Sequence, residues 1–123
     1  MLDELKKKRG KVLKETKNSM AALGTYRKEF DVIIKRYVDL RLQFDTLNER
    51  WYEEGCRITE LYTNKAGATN ERKTALYASI EKLRKELTEM ENIFGLTPKG
   101  LKEIKKKGLE QKKGSALEKM LNG

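Results

Sequence analysis

The side chains with the plainest chemistry in this sequence are its lysines and arginines. They bunch at Lys6-Lys7-Lys8-Arg9, with Lys11 close behind, and again at Lys105-Lys106-Lys107 and Lys112-Lys113. A smaller group, Lys65, Arg72 and Lys73, lies between them. The chain holds 28 Lys and Arg against 19 Asp and Glu, a net charge of +9. Such a surface seeks phosphate, whether on nucleic acid, nucleotide or anionic lipid. Two basic clusters flanking a nearly neutral middle favour duplex DNA over a merely solubilising role. In an assembly the clusters would repeat, and weak sites would add by avidity.

Other chemistries find less support. The sequence has no histidine and one cysteine, Cys56. A structural zinc site, an imidazole-activated nucleophile and an internal disulfide are therefore out of reach, and a reducing compartment fits. No catalytic residue, metal or cofactor is expected. Residues 67–74, Gly-Ala-Thr-Asn-Glu-Arg-Lys-Thr, approach a phosphate-binding P-loop. They fail at Arg72, where a second glycine must let the backbone wrap the phosphates, and no apolar strand precedes them. Glu53-Glu54 and the group Glu86, Glu89 and Glu91 could hold magnesium or run acid–base chemistry. Lysines at helical spacing surround them, the pattern of solvated helix faces. Trp51, Tyr52, Tyr26 and Phe44 could stack on bases. Most of these occupy core positions; only Tyr52, just off the apolar seam, stays open.

These residues must be carried by helices. At 123 residues the chain has room for one domain. Pro98 is its one proline, and breakers this scarce favour long helices over many short strands. The segment Leu2 to Leu23 reads as a basic arm, helical in part, weakened at Gly10 and ended at Gly24. Its apolar positions, Val12, Leu13, Met20 and Leu23, are sparse. From Tyr26 the apolar residues fall at Phe30, Ile33, Tyr37, Leu40, Phe44, Leu47 and Trp51, in alternating steps of four and three. That seam predicts a helix from about Tyr26 to Glu54, capped by Thr25 and stopped by Gly55.

Residues 56–73 read as a connector, anchored by Ile58, Leu61 and Tyr62 and turned at Asn64, Gly67 and Asn70, with no sheet expected. A second seam runs through Leu76, Ile80, Leu83, Leu87, Met90 and Phe94. Asn70 or Thr74 can cap it, Gly95 can end it, and Glu81 can pair with Lys85 on its surface. Thr97-Pro98 begins a short helix holding Leu101 and Ile104 and closing at Lys105-Lys106-Lys107-Gly108. Beyond it, Ser115 and Glu118 can form a capping box around Leu117, Met120 and Leu121.

The expected fold is all-α: a long antiparallel helical hairpin with a basic N-terminal helical arm and a short C-terminal helix. It divides into the arm (1–24), the hairpin core (25–97) and a basic helix with tail (98–123). Positive charge gathers at the ends, with seven basic residues against three acidic before Thr25 and eight against three from Pro98 onward. A two-helix hairpin cannot bury a stripe wider than one seam. Val32, Ile34, Val38 and Leu42 widen the first helix's stripe. Ile34, Val38 and Leu42, with Tyr77 and Ile93 on the second helix, are candidate contacts between copies of the chain. The alternative is that the basic arm and the Pro98 helix fold back and cover the stripe within one chain. No apolar run reaches membrane-spanning length and the start of the chain lacks an apolar signal core, so the cytoplasm is the expected compartment.

Three segments resemble a phage family. They are Leu23-Gly-Thr-Tyr-Arg-Lys-Glu-Phe-Asp31, the stretch from Tyr62 through Asn64-Lys-Ala-Gly67 and Arg72-Lys-Thr74 to Lys85, and Gly95-Leu-Thr-Pro-Lys-Gly100. In that order they are similar to the small terminase subunit of tailed phages that package DNA through cohesive ends. The resemblance covers about Gly24 to Lys106. It implies a ring-forming, non-catalytic protein of the host cytoplasm. Such a protein binds double-stranded viral DNA near the packaging start and recruits or regulates a large subunit carrying the ATPase and nuclease. Lys28 stands where a proline is common, and Thr97 where asparagine often precedes Pro98; both suit a helix start. No helix-turn-helix is visible, and the arm before Gly24 is too short for one. DNA contact therefore falls to Lys6, Lys7, Lys8, Arg9 and Lys11, to Lys105, Lys106 and Lys107, and to the loop around Lys65, Arg72 and Lys73. A purely structural coiled-coil adaptor is the rival reading and predicts no DNA retention at low salt. A phosphate-handling enzyme predicts hydrolysis of ATP or DNA by the isolated chain.

Overall fold

The computed structural model describes residues 2–107. Three long helices and a short fourth alternate with one two-stranded sheet: α1 (Leu2–Leu23), α2 (Asp31–Glu53), β1 (Thr59–Thr63), β2 (Thr69–Lys73), α3 (Ala75–Ile93) and α4 (98–107). Lys112-Lys113 and the Ser115 capping box lie outside the described residues, as does the expected stop at Gly108.

The expected basic arm, helical in part, is instead one continuous helix docked on α2. Val12, Thr16 and Met20, each four residues from the next, form its buried stripe. The Thr16 hydroxyl donates to the Val12 carbonyl at 2.8 Å, so burial leaves it satisfied. Gly10 costs a helix interior about 1 kcal/mol. Burying side chains the size of Val12 and Met20 contributes about 1.5–3 kcal/mol each and outweighs it. Arg9 reaches Asp39, and Lys17 reaches Asp31, so α1 runs antiparallel to α2.

This docking corrects part of the assembly argument. Ile34 and Val38 are fully buried in the chain's own core, in one cluster with Val12 and Met20. Neither is available to a second copy. Leu42 is half-buried and packs on the same cluster, Tyr77 is half-buried, and Ile93 stays 71% exposed.

The α2 seam begins later than its spacing predicts. Thr25 is not a cap: it is buried, and its hydroxyl donates back to the Met20 carbonyl at 3.3 Å. A 3-10 turn at Lys28–Phe30 precedes α2, whose first residue is Asp31. That carboxylate accepts from the Tyr26 hydroxyl at 2.8 Å, a charge suited to a helix start. Phe30 and Ile33, at the head of the seam, remain 37% and 45% exposed. Farther along, Tyr37 is buried, meets Phe94 edge-on at 5.6 Å and donates its hydroxyl to Glu91 at 2.7 Å. Trp51 lies 6.0 Å from Tyr77. An early α2 residue thus meets late α3 residues, and a late one meets early α3, which sets the two helices antiparallel.

The connector holds a sheet that the sequence reading did not expect. β1 and β2 pair antiparallel from Thr59↔Lys73 to Thr63↔Thr69. The turn is built by Asn64, whose side-chain oxygen accepts from the backbone N–H of Ala66 and Ala68, both at 3.0 Å, while Gly67 takes a φ of 85°. The near-P-loop segment is this turn and second strand. Glu81 bonds Lys73 of β2 at 2.8 Å and is not engaged by Lys85.

The α3 boundaries follow their expected caps. Thr74 accepts from the Tyr77 N–H at 3.1 Å, and Gly95 closes the helix with a φ of 71°. Leu96 N–H reaches the Glu91 carbonyl and Gly95 N–H the Asn92 carbonyl, the paired bonds of a Schellman ending. Thr97 then caps α4 by accepting from the Gly100 N–H at 3.0 Å. Gly100 lies against the Asn92 backbone so closely that a Cβ there would sit 2.0 Å from the Asn92 oxygen. The Gly95–Gly100 motif is therefore a corner that seats α4 on the end of α3.

Candidate nucleic-acid interface

On a helix, consecutive lysines point about 100° apart, so a run of them is not a patch. Lys6, Lys7 and Lys8 are all exposed but diverge around α1. The shared outer face holds Lys7, Lys11 and Lys14, spaced i, i+4 and i+7, together with Asp3, Glu4 and Glu15, all exposed. It lies opposite the stripe of Val12, Thr16 and Met20 that anchors the helix. In α4 the anchors are half-buried Leu101 and Ile104, and the opposite face carries Lys99, Lys102 and Lys106, again all exposed. Lys105 and Lys107 are exposed beside that face. Sequence reasoning missed Lys14, Lys99 and Lys102 because it followed contiguous runs; helical spacing would have found them.

Several cations singled out in the sequence are engaged. The Arg9 guanidinium donates to both Asp39 oxygens, at 2.7 and 3.3 Å, which raises its pKa above the ordinary arginine value. Arg72 donates to Glu60 at 3.1 Å across the hairpin, and its guanidinium lies 3.9 Å over the Tyr62 ring. That stack is a cation–π contact. Lys73 is held by Glu81; the pair raises the lysine and lowers the carboxyl, chiefly through their hydrogen bond. Lys6, Lys7, Lys8, Lys11, Lys65, Lys105, Lys106 and Lys107 pair with no carboxylate among the described residues.

The structure does not gather these groups into one patch. Lys65 sits in the turn of the β-hairpin, beyond the far end of α2. The α1 face runs alongside the middle of α2, as the Arg9–Asp39 and Lys17–Asp31 pairs fix it. The α4 face lies at the opposite end, where a Cβ on Gly95 would meet both Thr25 and Ile104. Of the aromatics, Tyr52 is 63% exposed and meets Trp51 edge-on, and the Trp51 indole N–H donates to the Arg57 carbonyl at 3.0 Å.

No cluster of three or more Cys, Asp or Glu able to hold a metal ion occurs among the described residues. None of their helices is long and apolar enough to cross a membrane. What the geometry defines is a helical scaffold tied across its elements by Asp31, Asp39, Glu60 and Glu81, with exposed lysines on the outward sides of α1 and α4. Residues 10–111 match the family described as phage terminase, small subunit, and the chain belongs to that family. No curated protein and no solved structure matches it.

Proposed function

We propose that this terminase small subunit is a non-catalytic, self-assembling protein that binds double-stranded viral DNA at the packaging start. In this reading it recruits or regulates the large subunit, which carries the ATPase and nuclease, inside the infected host cell. Family membership supports the general role. The observation that supports DNA contact is the pair of lysine faces, Lys7–Lys11–Lys14 and Lys99–Lys102–Lys106, each opposite its helix's anchored side.

Each face spans about 10 Å at 1.5 Å per residue. Each strand of duplex DNA presents a phosphate every ~3.4 Å of helix axis, so a face lying along the axis can meet about three of them. Binding through such contacts releases counterions and weakens steeply with salt, with a slope of about −0.9 per phosphate neutralised. Converting Lys7, Lys11 and Lys14 together to glutamine should reduce the slope of log K against log salt by about three, and so should the α4 triple. Arg9, Arg72 and Lys73, already tied to carboxylates, should contribute less. Filter binding on duplex DNA carrying the packaging start measures this. Unchanged slopes in both triple variants would rule out the lysine faces as the DNA contact.

A further inference from the structure

Two surfaces among the described residues differ in shape and charge. The first is a groove of about 600 Å³ between the start of α1 and the second half of α2. Leu2, Leu5, Leu42 and Leu47 line it, with Lys6 and Arg9 on its rim. Leu2 and Leu5 are 71% and 51% exposed. Asp39 takes up the Arg9 charge, which leaves Lys6 as the rim's unpaired cation among the described residues.

The second surface is convex and acidic. Glu86, Glu89 and Ile93 follow one another at i, i+3 and i+7 on α3, outside the stripe that Ile80, Leu87 and Phe94 bury. Ile93 is 71% exposed. No basic residue occurs from Glu86 to Phe94, and the cations on the same side, Lys82 and Lys85, stand one turn back toward the start of α3. The negative end of the α3 dipole falls at the same place.

One chain cannot bring the two surfaces together. The groove lies on the α1 side of α2, around Leu42 to Leu47. Ile93 adjoins Phe94, which packs on Tyr37 from the α3 side. Five residues of helix, about 7.5 Å, separate Tyr37 from Leu42, and the two surfaces lie on different sides of α2.

We propose that the groove receives the Glu86–Glu89–Ile93 face of a second copy, with Ile93 seated against Leu5 and Leu42 and the glutamates meeting Lys6. The proposal rests on the self-assembly reading above and adds its surfaces. Because groove and ridge are different patches, the contact is heterologous: each subunit offers its groove to one neighbour and its ridge to the other. Association of this kind continues until the arrangement closes on itself.

The test uses the full chain. Leu5→Glu and Ile93→Glu place a carboxylate at exposed positions, and far-UV circular dichroism checks that the fold survives. Wild type should sediment as a multimer at micromolar concentration, and both variants should sediment as monomers. In a Cys56→Ser background, Leu5→Cys with Ile93→Cys in the same chain, treated with a short bis-maleimide, should give a ladder of covalent multimers. Either cysteine alone should not pass the dimer. If both glutamate variants assemble as wild type does, self-assembly stands and these surfaces are wrong. If the double-cysteine chain gives no ladder, the heterologous pairing falls, whether the groove holds a symmetric partner, the residues after 107 or another protein. A wild type that is monomeric at every concentration overturns this proposal and the assembly reading together.

Discussion

Replacing Gly100 with alanine should unseat α4, whereas the same change at Gly10 should strengthen α1. At Gly100 the added Cβ would meet Asn92 backbone atoms at 2.0, 2.7 and 2.7 Å. Backbone cannot yield as a flexible side chain does, so α4 must move off the end of α3. The loss is bounded by what seats α4: half-buried Leu101 and Ile104 and the Thr97 cap. Half-burial of two such side chains and one cap amount to about 2.5–4 kcal/mol together. For a domain of this size that lowers Tm by about 10–20 °C. At Gly10 no atom lies within 4 Å of the new Cβ, and the residue sits inside a helix, so alanine should add about 0.5–1 kcal/mol. Urea and thermal unfolding followed by circular dichroism read both effects. A Gly100→Ala protein as stable as wild type would refute the account of the α3–α4 corner. Gly10→Ala tests independently whether α1 is continuous: if Gly10 were a hinge between two pieces, alanine would bring no gain.

Tyr37→Phe keeps the buried ring but leaves Glu91 without its donor, and should cost about 1–2 kcal/mol in urea unfolding; a neutral result would show that the hydroxyl is not engaged. Thr74→Ala removes the α3 cap and should cost about 1 kcal/mol, while Thr74→Asp should retain most of it. Asp31 is held below the ordinary carboxylate range, chiefly by the Tyr26 hydroxyl, with Lys17 adding to it, and Glu81 is held low by Lys73. Carboxyls whose folded values lie below their unfolded ones stabilise fully above the unfolded pKa, near ~4, and lose that contribution as pH falls through the folded value. Stability should therefore decline below about pH 4, and Asp31→Asn should flatten the decline; an unaltered acid transition in that variant would contradict the assignment.

The α3 seam could be read because burial repeats with helical period, whereas on α2 the fully buried Ile34 and Val38 lie beside the seam that the spacing marked. Ile80, Leu87 and Phe94 occupy the buried side of α3 as their spacing requires, Thr74 and Gly95 mark its limits, and Thr97 marks the start of α4. The β-hairpin escaped for a physical reason. Of its ten strand residues only Glu60 is even partly covered, so no in–out alternation is written into it. Its signal is turn chemistry, Asn64 and Gly67, with cross-strand pairs such as Thr63–Thr69 and Glu60–Arg72. The docking of α1 was equally hard to see. Three buried residues four apart form a narrow stripe in a segment dominated by lysine, and their partners Ile34 and Val38 already belonged to a plausible alternative contact. Which cations are tied and which are free depends on pairs distant in sequence, such as Arg9–Asp39, that no local pattern encodes.

The lysine faces and the core are one design seen from two sides. A helix that buries one side aims the other, so Val12, Thr16 and Met20 fix where Lys7, Lys11 and Lys14 look. Leu101 and Ile104, held by the Gly95–Gly100 corner, do the same for Lys99, Lys102 and Lys106. The acids take the complementary part. Asp31, Asp39, Glu60 and Glu81 each engage a cation on another element or the facing strand, which ties the scaffold and withdraws charge from places where phosphate is not wanted. The DNA contact proposed above would then rest on the orientation that packing imposes on ordinary lysines.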